Sequence, residues 1–105
     1  MRKDVQFYFA KLLEGNVPLT INKIILFGSE AYGTPRVKSD IDVAVVTEES
    51  LVQSERIEVY EFFDSVPSPK ELQLVFVVNG VLRQGFDVRR DIFTKGVCVY
   101  EKQHI

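Results

Sequence analysis

The segment Asp40-Ile41-Asp42-Val43-Ala44-Val45-Val46 constrains this chain more than any other. Read as a strand, it places Ile41, Val43 and Val45 on one face. Asp40, Asp42, Ala44 and Val46 fall on the other. Aspartate is a poor strand former, yet two of them open an otherwise apolar run. Their backbones stand roughly 7 Å apart on one face, so both carboxylates can converge on one or two Mg²⁺ ions. Mg²⁺ takes oxygen ligands and shares them with substrate phosphates. Without a cation the two charges repel and raise one pKa. The plainer alternative leaves Asp40 in a loop and Asp42 facing solvent at a strand end.

The elements around this segment follow from periodicity. Asp4 to Leu13 reads as a short helix, with Val5, Phe9, Leu12 and Leu13 near one face and Asp4 as a candidate cap. Lys23 to Phe27 is a continuous apolar strand of the central kind. Ser29 to Tyr32 fits a first helical turn, and Thr34 to Ser39 a polar loop kept irregular by Pro35. Ser50 to Ser65 is the clearest helix, with Ile57, Tyr60 and Phe63, flanked by Val59 and Phe62, as its apolar face. Leu72 to Val78 is a third strand. Asn79-Gly80 reads as a break. Phe86 to Lys95 fits a last helix, with Gly96 at a left-handed C-cap and Val97 to Tyr100 as a final strand. Helices and strands in this order give a small α/β (α+β) domain, a mixed four-stranded sheet packed with helices.

With 105 residues, 46% of them apolar, the chain is expected to form a single domain over 1–105 with a modest core. Little length remains for an acceptor-binding domain, so loops, a second copy or another protein would complete acceptor recognition. The net charge of −2 and the lack of a Lys/Arg run argue against dedicated nucleic-acid binding. A folded patch from Lys23, Arg36, Lys38, Arg83, Arg89 and Arg90 is the remaining route to it. One Cys and one His exclude an internal disulfide, a cysteine zinc site and a histidine-based triad. The absence of a membrane-length apolar stretch leads to the expectation of a cytoplasmic protein without membrane association.

Gly28-Ser29 supplies a second half to the acidic pair. A strand that turns abruptly into a helix presents free N–H groups and a positive dipole end to phosphate oxygens. Gly28 allows close backbone approach, Ser29 adds a hydroxyl, and Gly33 permits the return toward Asp40. No P-loop or dinucleotide-binding glycine triplet is present.

The run Phe27-Gly28-Ser29-Glu30-Ala31-Tyr32-Gly33, followed by Ser39-Asp40-Ile41-Asp42-Val43, resembles the signature of the minimal nucleotidyltransferases of the DNA polymerase beta-like superfamily. Asp91 to Glu101 is similar to that family's closing helix, glycine and strand, so the likeness spans about 21–101. The resemblance implies that Gly28, Ser29 and Gly33 hold triphosphate oxygens, with Arg36 and Ser39 as further candidates. It implies that Asp40 and Asp42 bind Mg²⁺ and that a third carboxylate on the next strand helps activate an acceptor hydroxyl. Gln73 stands where that third carboxylate is expected. Glu71, two residues earlier and on the same face, is the substitute candidate for a catalytic and metal-binding role. The further implications are ATP as substrate, AMP transfer to a hydroxyl, and a helical HEPN toxin partner or a homo-oligomer. The alternative is a catalytically degenerate protein that keeps nucleotide or partner binding.

Overall fold

The computed structural model describes residues 2–28, 40–78, 92 and 94–103. In order these form α1 (Lys3–Leu12), β1 (Ile21–Phe27), β2 (Ile41–Thr47), α2 (Gln53–Asp64), β3 (Leu72–Val78) and β4 (Val97–Glu101). The expected turn at 29–32, the loop at 34–39, the break at 79–80 and most of the helix at 86–95 lie outside the described residues. Ile92, Thr94 and Lys95 have helical backbone.

The four strands form one mixed sheet in the order β3-β2-β1-β4. β1 runs antiparallel to β2 and β4, while β2 and β3 are parallel. α2 connects that parallel pair, as a parallel crossover requires. Alternation along β2 then sorts the side chains. Ile41, Val43 and Val45 join Ile24 and Leu26 of β1 in the larger core, with Val5, Tyr8, Phe9 and Leu12 of α1 and Val59, Phe62 and Phe63 of α2. Ala44 and Val46 face the other way, into a smaller cluster with Ile25, Phe27, Val77 and Ile92. The acidic pair therefore lies on the face opposite α1 and α2.

Several local expectations need correction. α1 begins at Lys3 with Arg2 at its N-cap, and Asp4 lies inside the first turn. There Asp4 pairs with Arg2 at 2.9 Å and accepts the Val5 N–H. Tyr8, rather than Leu13, completes the buried stripe of α1. On α2 that stripe is Val59, Phe62 and Phe63, an i, i+3, i+4 set, whereas Ile57 and Tyr60 are about half exposed. Tyr60 packs edge-on to Phe76 at 5.8 Å instead. Gly96 does not adopt a positive φ, so it is no left-handed cap. It is small for a packing reason: a Cβ there would overlap the Ile92 carbonyl and the Ile25 side chain.

One polar contact ties the two helices together. Tyr8 is buried, and its Oη donates to the Phe63 carbonyl at 2.7 Å. The last carbonyls of a helix have no partner within it, so Tyr8 satisfies one that α2 leaves open. Burial, and secondarily the charge of Asp64, pushes the Tyr8 phenol well above its ordinary pKa, which keeps the donor proton in place. Tyr8→Phe is expected to cost about 1 kcal/mol, lowering the melting temperature by roughly 4–8 °C. Thermal denaturation followed by circular dichroism would measure it. An unchanged midpoint would remove this contact from the account of stability.

Candidate nucleotide and cation site

The site is built where the end of β1 meets the beginnings of β2 and β3. Phe27 pairs with Asp42 across the β1–β2 ladder, and Asp42 pairs with Gln73 across β2–β3. The Ile41 N–H donates to the Glu71 carbonyl at 2.8 Å, which fastens the start of β2 to the segment entering β3.

Gly28 follows Phe27 with φ +78°, in the left-handed region that favours glycine. A Cβ placed on Gly28 would overlap Oδ2 of Asp42 and lie only 3.0 Å from its Cγ. Glycine is thus required twice here, for its backbone angle and for the space that the Asp42 carboxylate occupies. Sequence reading anticipated close approach at Gly28 toward a ligand. It missed the approach to Asp42, which only the cross-strand pairing of Phe27 with Asp42 would have signalled.

Desolvation raises the pKa of Asp42, and the negative charge of nearby Asp40 raises it further. Asp40 accepts a hydrogen bond on Oδ2 from Nε2 of Gln73 at 3.1 Å. Gln73 therefore stands on the rung beside the acidic pair, with an amide where the resemblance implies a third carboxylate. The Glu71 main chain helps hold β2, and the residue borders a cavity of about 460 Å³ together with Tyr60, Phe63, Asp64, Lys70 and Leu72. Among the described residues no three His, Cys, Asp or Glu side chains are grouped to hold a metal ion. Asp40 and Asp42 come together, and Glu71 is not grouped with them. Ser29, Gly33, Arg36 and Ser39 lie outside the described residues.

The donor chemistry fits Mg²⁺. Two hard carboxylates share one face, and their mutual repulsion is what a divalent cation would relieve. Asp40 and Asp42 are the residues that would hold it.

A mixed sheet that carries an Asp-x-Asp pair at the start of an inner strand, beside a Gly turn, defines a nucleotidyltransferase-like domain. The polymerase beta nucleotidyltransferase family matches residues 10–105. The chain belongs to that family, within its minimal nucleotidyltransferase group. No curated protein matches it. Among solved structures, a toxin–antitoxin complex with AMP-PNP contains a chain 28% identical to this one. The match covers 97% of this chain and 76% of that one, with a TM-score of 0.56. A mutant of the toxin–antitoxin pair MntA-HpeT is 30% identical over 93% of this chain and 73% of that chain, at a TM-score of 0.54. A tri-AMPylated Shewanella oneidensis HEPN toxin in complex with MNT antitoxin matches at 26% identity and a TM-score of 0.50. There the cover is 92% of this chain and 72% of that one. Among the described residues no helix is long and apolar enough to cross a membrane.

Proposed function

We propose that this chain, as one domain over residues 1–105, is a Mg²⁺-dependent nucleotidyltransferase that moves AMP from ATP to a hydroxyl of a helical HEPN-type toxin, acting as its antitoxin in the cytoplasm. The observation that carries this reading is the Asp42 carboxylate seated against the left-handed Gly28 with Asp40 beside it. The toxin–antitoxin relatives, one with AMP-PNP and one with an AMPylated toxin, support the nucleotide and the partner.

In this reading the acceptor hydroxyl oxygen attacks the α-phosphorus of ATP, its proton is released to solvent, the bond from that phosphorus to the bridging oxygen breaks, and pyrophosphate leaves. Gly28 and Ser29 bind phosphate oxygens, with Gly33, Arg36 and Ser39 as further candidates for that role. Asp40 and Asp42 would hold a divalent cation there, which when bound would supply charge neutralisation for the phosphates. Glu71 is exposed, and would serve as a third ligand only by moving toward the bound cation. Gln73, an amide, cannot take the hydroxyl proton.

The test is a transfer assay with α-labelled ATP, Mg²⁺ and a HEPN-type toxin from a related pair. Label is expected on the toxin, and Asp40→Asn or EDTA should abolish it. A tight complex that acquires no label would establish the second reading, a degenerate antitoxin that binds without transferring. Gln73 at the register position opposite Asp42 is the observation that favours that alternative.

A further inference from the structure

Gln73 stands in the place of an expected third acid, and its geometry gives it a task of its own. It is the β3 partner of Asp42 in the parallel ladder, and its side chain reaches past that residue to Asp40. The 3.1 Å bond occupies Oδ2 of Asp40 with an N–H donor. We propose that Gln73 is a positioning residue: its amide holds the Asp40 carboxylate in the orientation in which it meets a divalent cation together with Asp42. This rests on the reading above that the acidic pair binds such a cation.

Three features support it. Asp40 precedes β2 and has no strand pairing among the described residues, so the rung that fixes Asp42 does not fix it. A side-chain donor restricts the rotamer of a carboxylate outside the ladder, and Gln73 supplies one to Asp40. A third carboxylate at position 73 would repel Asp40 in the cation-free protein, whereas an amide attracts it while adding no charge. Among the described residues the Asp40–Asp42 pair then presents two negative charges, which one divalent cation balances. Hydrogen-bond partners that orient a metal-binding carboxylate typically govern metal affinity by 10- to 100-fold.

The experiment is Mn²⁺ binding by the full chain in the presence of ATP, followed by electron paramagnetic resonance. Gln73→Met keeps the length of the side chain and removes the donor. It is expected to weaken Mn²⁺ binding by roughly tenfold with little change in melting temperature, because Gln73 is exposed. Wild-type affinity in Gln73→Met would overturn the proposal while leaving the cation site intact. Absence of Mn²⁺ binding by the wild-type chain would overturn the functional reading itself, and this inference with it. A second measurement needs no variant: the Gln73 side-chain amide resonance of the wild-type protein should shift as Mg²⁺ and ATP are added. An amide signal that stays fixed while the Asp40 and Asp42 backbone signals move would refute the positioning role.

Discussion

Gly28→Ala is expected to lower AMP transfer by about 100-fold and to cost roughly 1–2 kcal/mol of stability. Two separate effects combine. The φ of +78° at Gly28 is one that an alanine adopts only with strain. The new methyl also falls on the Asp42 carboxylate, which must rotate away or push the end of β1 aside. Displacing a reacting group by about 1 Å is enough to remove two orders of magnitude of rate. The effects can be separated by a double-mutant cycle. In an Asp42→Ala background the overlap with the carboxylate is gone and only a 3.2 Å approach to Cβ remains, so Gly28→Ala should cost little beyond the backbone strain. Equal stability losses in both backgrounds would show that the contact with Asp42 has no energetic weight. Wild-type transfer by Gly28→Ala would remove Gly28 from the site.

Asp42→Asn should move stability and activity in opposite directions. Burial, and then the charge of Asp40, raises the Asp42 pKa in the folded chain. A group with a raised folded-state pKa contributes stability that is fully present below its unfolded pKa. That contribution is lost as pH rises through the folded one. At neutral pH, without a cation, ionised Asp42 therefore works against the fold. Asparagine removes that charge, and the cation-free protein should melt higher by about 2–4 °C. This corresponds to roughly 0.5 kcal/mol, the scale of a solvent-screened charge contact. Across the window from the ordinary aspartate value up through the raised one, the wild type should lose stability that the variant keeps. Mg²⁺ with ATP should stabilise the wild type and not the variant. Transfer should fall by on the order of 100-fold or more. A variant that melts lower than the wild type across the neutral range would show that the carboxylate pair is not under repulsion.

The parts of the fold legible in the sequence were those whose signal is local. Alternation along 40–46 separated the face of β2 that packs against the helices α1 and α2 from the acidic one, and the apolar run at 72–78 gave β3 its limits. β1 begins two residues before the apolar run because Asn22 is buried in it at a bulge, and a polar side chain conceals a strand start. On α2 every aromatic residue fits an apolar stripe, so periodicity alone could not separate Phe62 and Phe63, which pack inward, from Tyr60, which lies on the rim over Phe76. The site divides in the same way. The same-face placement of Asp40 and Asp42 is a property of one strand. The Gly28–Asp42 contact and the Gln73–Asp40 bond belong to pairs of strands, and no spacing within a segment reveals which residues meet across a sheet.

The two-faced pattern of β2 also bears on how the chain avoids misfolding. Apolar side chains alone would let β2 settle against its neighbours in more than one alignment, because Ala44 and Val46 on the second face are buried as well. A slip of one residue would turn Asp40 and Asp42 beneath α1 and α2 and carry Ile41, Val43 and Val45 to the opposite face. Placing carboxylates in that core without partners would cost several kcal/mol each. The two aspartates thus act as a proofreading mark on the sheet, penalising wrong alignments by the cost of burying their charge.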